Sequence, residues 1–258
     1  MEDASYMNSQ LKAIVLAAGK GTRLQSEKSD VPKVMREVCG RPLLSHVLDA
    51  LPALKKDIII VVGFGKDRVI DHYDGYEFAY QERQLGTGHA VLAAKEQLSG
   101  YEGAVLICYG DMPVIKRETY ESLLQEHFKS GNDCTILTGE SSLPEAFGRI
   151  IRDDDGAFLR VVEERDCNSE QLKITELNTG VYVFEAPKLL SALNDMKNHN
   201  DQGEYYLTDV PEIMRLNGAK IGLLCRDLGD EILGVNTVEQ LALAEEILSS
   251  REPNAYRV

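Results

Sequence analysis

The chain has 258 residues, 43% of them apolar and 27% charged, with 42 acidic against 28 basic side chains and a formal net charge of −14. That length suits one α/β domain with a smaller lobe, and the composition is ordinary for a globular protein. The acidity argues against sequence-independent nucleic-acid binding, which wants a basic face, and any anionic ligand needs cations or backbone N–H groups gathered locally.

In chain order, MEDASYMNSQ lacks the basic and apolar parts of a signal peptide, and residues 1–11 read as a flexible extension. AIVLAA (13–18) reads as a buried strand running into the glycine turn GKG. Residues 41–54 carry helical apolar spacing, with Pro42 near the start, where its missing N–H does no harm. Strands are predicted at 58–62, 76–81, 104–109 and 134–139, with helices at 87–98 and 118–128. The strand at 104–109 runs directly into Gly110 and Asp111. Continuous apolar strands alternating with helices imply a mostly parallel sheet covered on both faces. Such sheets bind ligands at the carboxyl ends of their strands, which puts GKGTR and GDMP on the functional edge.

Beyond residue 145 the pattern changes. Residues 147–164 read as a hairpin turning at DDDG, and the polar stretch 166–177 is expected to cross over the site. A strand at 178–186 follows, then helices at 187–197 and 208–217, a strand at 220–225, a helix at 237–250 and a tail at 251–258. The longest strongly apolar run, 58-IIIVV-62, is too short to span a bilayer, so no membrane is expected as partner. The cysteines, Cys39, Cys108, Cys134, Cys167 and Cys225, show no CxxC pair and read as reduced thiols of a cytoplasmic protein. No internal repeat is visible.

The chemistry concentrates in 16-LAAGKGTR-23. It is neither GxxxxGK[ST] nor GxGxxG, which fails at Leu24. Gly19 and Gly21 still permit a tight turn and a close approach to phosphate. Arg23 offers a planar fork and Lys33 a mobile point charge, which together suit a polyphosphate. Asp111, just past a buried strand, reads either as a turn or cap residue or as a metal ligand. His89, at a helix start after GTG, reads as a capping or packing residue. No Ser/His/Asp or Cys/His arrangement is apparent.

LAAGKGTR followed by Pro32-Lys33 resembles the signature of the sugar-nucleotide pyrophosphorylases, nucleotidyltransferases that join a sugar 1-phosphate to an NTP. Further segments agree in order: 81-QERQLGTGHA-90, 109-YGDMP-113, 147-FGRI-150, 176-ELNTGVYVF-184, 203-GEYYLTDV-210 and 234-GVN-236. Within that family they are similar to the uridyltransferase half of the bacterial bifunctional enzymes that make UDP-N-acetylglucosamine. The resemblance covers about residues 12–250. It implies a Rossmann-like fold with a small sugar-binding lobe, and Mg²⁺-dependent transfer from UTP to N-acetylglucosamine 1-phosphate.

The resemblance also implies roles. Arg23 and Lys33, with Lys28 a rival for the latter, are the catalytic cations. Leu16, Ala17, Ala18 and Gly19 form the nucleotide turn, and Gln81, Gly86 and Thr87 the base pocket. Tyr109, Gly148, Glu163 (or its neighbour Glu164), Asn178, Tyr206 and Thr208 form the sugar pocket. Asp111 and Asn236 hold Mg²⁺. Two departures stand out: the loop from Arg23 to Lys33 is about three residues longer than the family's usual spacing, and no hexapeptide repeat is present, so acetyltransferase activity is not expected. Another NTP or sugar, or a silent sugar-nucleotide-binding domain, are the alternative readings.

Overall fold

The computed structural model describes residues 11–21, 31–140, 147–198, 200 and 202–251. In chain order it contains β1 (Leu11–Ala17), the two-residue strands β2 (Glu37–Val38) and β3 (Arg41–Pro42), α1 (Leu43–Ala50), β4 (Ile58–Val62), α2 (Lys66–His72), β5 (Glu77–Tyr80), α3 (Thr87–Leu92) and β6 (Ala104–Tyr109). Then follow α4 (Arg117–Ser130), β7 (Cys134–Glu140), β8 (Arg149–Arg152), β9 (Phe158–Val162), β10 (Glu176–Glu185), α5 (Ala186–Asp195), α6 (Val210–Leu216), β11 (Ile221–Arg226) and α7 (Val238–Arg251).

Seven strands form the spine of a mixed sheet in the order β11-β7-β10-β6-β1-β4-β5, with β8 joined to β10 and β9 to β8. β1 pairs in parallel with both β4 and β6, β4 with β5, and β11 with β7. β10 runs antiparallel between β6 and β7. Alternation along each strand splits the core into two layers. Ile14 and Leu16 of β1 face a cluster with Val91, Leu98, Phe184 and Leu193. Ala13, Val15 and Ala17 face the other, with Val47, Leu51, Tyr120 and Leu123. Every residue of β4 is buried, as a strand covered on both faces requires. A smaller cluster, with Val38, Leu43, Val114, Leu233, Val235 and Ala244, docks the segment before α7 against α1.

Several predicted elements differ from those observed. Leu11, assigned to the extension, already opens β1. The helix expected at 87–98 is α helix only to Leu92. Ala94 and Lys95 then donate to Val91 and Leu92, three residues back, which tightens the chain into turns and a 3₁₀ turn at Glu96–Leu98. The helix α2 was not predicted, because only Val69 of KDRVIDH is buried and there is no apolar stripe to read. The stretch 166–177 contains a 3₁₀ turn, Gln171–Lys173, and its last residues already belong to β10.

Candidate active site

β1, β4, β5 and β6 are parallel, so their carboxyl ends share one edge. The chain runs from β1 outward through β4 and β5, then returns to the opposite side of β1 as β6. That reversal opens a crevice between β1 and β6, where open α/β sheets take their ligands. Backbone bonds fix its rim: Gly110 N–H donates to the Leu16 carbonyl at 3.0 Å and Phe64 N–H to that of Ala18 at 3.3 Å.

Two cavities meet there. One, of about 330 Å³, is lined by Leu16, Ala17, Ala18 and Gly19 of the glycine turn, by Gln81, Gly86 and Thr87, and by Lys33. The other, of about 190 Å³, is lined by Phe147, Gly148, Glu163, Asn178 and Gly180. Tyr109, Asp111 and Asn236 belong to both walls. The structure thus brings the expected nucleotide residues, and Gly148, Glu163 and Asn178 of the expected sugar residues, to either side of one junction. Tyr206 and Thr208 lie instead in a larger adjoining groove that also reaches Glu163. Thr208 joins the two spaces by donating from Oγ1 to Glu163 Oε1 at 2.9 Å. Arg23 and Lys28 lie outside the described residues.

At the junction the Lys33 ammonium donates to the Asp111 carboxylate and, at 2.7 Å, to Asn236 Oδ1. Each partner is placed by its own local chemistry. Lys33 opens a 3₁₀ turn behind Pro32 and is 9% exposed. Asp111 follows the buried strand β6, and its carbonyl accepts from Val235 N–H at 2.9 Å, which ties the loop before α7 to this edge. That loop ends in a capping box: Gln240 Oε1 accepts from the N–H groups of Asn236 and Thr237 at 2.8 and 3.1 Å, and Gln240 N–H donates back to Thr237 Oγ1 at 3.2 Å. Asn236 Nδ2 faces the Gly234 carbonyl at 3.4 Å, so its oxygen is the end offered to the crevice.

The pair Asp111 and Asn236 fits a divalent cation. Both present hard oxygens, and a positive group already lies between them. Among the described residues no cluster of three or more His, Cys, Asp or Glu forms a full protein cage. Two protein oxygens, completed by phosphate and water, are what Mg²⁺ usually accepts.

The second cavity is shaped by backbone as much as by side chains. Gly180 has φ +80°, and a Cβ there would lie 2.1 Å from the Tyr109 ring. The ring therefore lies directly on the β10 backbone, where the pairing with β7 shifts register between Asn178 and Tyr182. Burial raises the Glu163 carboxyl above the usual carboxylate range, against the lowering bond from Thr208. Glu164 belongs to the 3₁₀ turn that follows and lines neither cavity. Gln84 and Glu204 also line the first cavity, and Gly180 the second; each stands inside a motif quoted above, but nothing local marks it.

The chain is similar to known proteins. The profile of the MobA-like NTP transferase domain matches residues 13–207. Bifunctional protein GlmU of Lactobacillus johnsonii is 47% identical over 240 residues, 92% of this chain and 51% of that protein. Its namesake from Clostridium beijerinckii is 46% identical over 244 residues, 93% of this chain and 52% of that protein. The chain spans about half the length of the curated relatives it matches. A crystal structure from Bacillus anthracis, assigned as a glucose-1-phosphate thymidylyltransferase, shares the fold with a TM-score of 0.69 at 18% identity, over 92% of this chain and 94% of that one. Matched by that profile over most of its length, and with the glycine turn after β1 lining the crevice, the chain belongs to the MobA-like NTP transferase family and is a nucleotidyltransferase domain.

Proposed function

We propose that this domain transfers a uridylyl group from UTP to N-acetylglucosamine 1-phosphate, giving UDP-N-acetylglucosamine and pyrophosphate. The observation that carries the reading is the meeting of two cavities at Tyr109, Asp111 and Asn236, with Lys33 between the oxygens. A nucleotide held under the Gly19 turn would place its α-phosphorus near that junction. A sugar phosphate held against Gly148, Glu163 and Asn178 would approach from the other side. A sugar-phosphate oxygen attacks the α-phosphorus, the bond to the bridging oxygen breaks, and pyrophosphate leaves with that electron pair.

Catalysis of this kind is placement plus charge neutralisation. Lys33 supplies a positive charge beside the junction, and would give up its two oxygens where the metal binds. Arg23 is proposed as a second cation, on the resemblance of LAAGKGTR alone. Asp111 and Asn236 would hold Mg²⁺, which when bound offsets phosphate charge. The similarity to the GlmU proteins favours UTP and the acetamido sugar among the possible substrates.

The test is pyrophosphate release with UTP and Mg²⁺, comparing N-acetylglucosamine 1-phosphate with glucose 1-phosphate and including a chelator control. Metal-dependent release, about tenfold or more faster with the acetamido sugar, is expected, since a pocket built to hydrogen-bond a group discriminates strongly. Faster release with glucose would keep the reaction and overturn the sugar. No release with any NTP, from folded protein that binds UDP-sugar, would replace the enzyme by a binding domain.

A further inference from the structure

Gln81 is the first residue past β5 and is 4% exposed, yet its side chain lines the nucleotide cavity. Two groups hold its amide. Nε2 donates to the Gly86 carbonyl at 2.9 Å and lies 3.2 Å from His89 Nδ1. A carbonyl only accepts, so the NH₂ end must be the one turned toward Gly86. An amide nitrogen does not accept, so the His89 nitrogen facing it must be the one without a proton. Both amide hydrogens are then engaged within the protein, and the carbonyl oxygen Oε1 is the end left for a ligand.

We propose that His89 is a positioning residue for base recognition. Its Nδ1 lone pair holds Gln81 with the carbonyl toward the nucleotide cavity. That selects a base presenting a ring N–H, as uracil does, over one presenting a lone pair at the same place, as cytosine does. The inference rests on reading this cavity as the NTP site.

The setting of His89 supports the role. It stands in the first turn of α3, whose entry is fixed from outside. Gly88 N–H donates to the Tyr205 carbonyl at 2.8 Å, and Tyr205 N–H donates to the Leu85 carbonyl at 2.8 Å. The Tyr205 ring lies 6.4 Å from the imidazole, tilted against it. Burial first, and then the nearby Arg83 cation, lower the His89 pKa, which favours the neutral ring that keeps a lone pair.

The experiment compares kcat and KM for UTP and CTP, with one sugar 1-phosphate, in the wild type, His89→Leu and His89→Asn. Leu removes the acceptor and Asn restores one through Oδ1. In His89→Leu the KM for UTP should rise about fivefold and the UTP-to-CTP ratio of kcat/KM should fall at least about fivefold. The KM for the sugar phosphate should stay within about twofold. His89→Asn should recover most of the lost ratio. An unchanged ratio in His89→Leu, or an equal loss for both nucleotides that Asn does not repair, would make His89 a packing residue and overturn the proposal. If His89→Leu does not fold, His89→Ala carries the same expectation. A wild type that binds UTP while its variants keep their selectivity defeats the role of His89 alone. A wild type that binds no nucleotide defeats the reading of the cavity, and this proposal with it.

Discussion

Lys33 donates to the same two oxygens that a divalent cation would claim, so the ammonium and the metal compete. In the absence of nucleotide, Lys33→Met should therefore bind Mn²⁺ more tightly than the wild type, as read by the loss of free-Mn²⁺ EPR signal. Turnover should fall by about 10²–10³, the usual cost of removing one preorganised charge-stabilising group. Asp111→Asn should weaken Mn²⁺ binding in the same assay; an unchanged titration would remove Asp111 as a ligand. Asp209, at the entry to α6, behaves differently. Burial, aided by Glu212, Glu163 and Asp166, pushes its pKa from 3.8 up to about 6. The folded state then binds the proton more tightly than the unfolded chain, so the ionised carboxylate costs stability fully above about pH 6 and not at all below about pH 4. Asp209→Asn should stabilise the protein by on the order of 1 kcal/mol at pH 7.5, after allowance for solvent screening, and by almost nothing at pH 4, in urea unfolding.

Strand β10 shapes the second cavity through Gly180. Gly180→Ala would place a methyl into the Tyr109 ring at a backbone angle that L-residues rarely adopt. A loss of about 2–4 kcal/mol is expected, combining overpacking with backbone strain, and Tm by calorimetry checks it. The same strand shows where reading from sequence stops. The apolar runs at 58–62 and 104–109 were legible to the residue, because strands buried on both faces leave a continuous signal. The direction of β10 was not legible, since an apolar run reads the same in a parallel or an antiparallel ladder. The bend at Gly180 was visible only as a glycine in NTG; its reason, the Tyr109 ring, lies across the sheet. The first glycine turn and Asp111 were recognisable by type and place at strand ends. Asn236 had no local signal, since its meaning comes from Lys33, 203 positions away. His89 reads as capping or packing because the Gln81 amide, eight positions away, is brought to it only by the turn between β5 and α3.

Across the whole molecule, Lys33, Asp111 and Asn236 meet only when distant segments are assembled, so binding at this junction and folding are linked. A ligand that binds the folded chain alone, at about 100 times its Kd, adds about 2.7 kcal/mol. For a chain near this size that is roughly a 5–10 °C rise in Tm. UTP with Mg²⁺ should give such a shift in a fluorescence melt, and UTP with chelator much less. An equal shift in both would separate nucleotide binding from the Asp111–Asn236 pair. The net charge of −14 gives the molecule no general attraction for its anionic substrates, so the local cation at Lys33 and the glycine-turn N–H groups must act against the field of the remainder.

The bond from Val235 N–H to the Asp111 carbonyl has a consequence for biosynthesis. A ribosome delivers the chain from the N-terminus, so the phosphate turn and Asp111 emerge long before Asn236. A nascent chain that ends before residue 236 lacks one of the two oxygens proposed to hold Mg²⁺. On the function proposed above, a nascent chain that has not yet released Asn236 should hold neither the cation nor the nucleotide productively. Stalled nascent chains of increasing length should acquire Mn²⁺-dependent UTP binding only once residues 234–240 have cleared the exit tunnel.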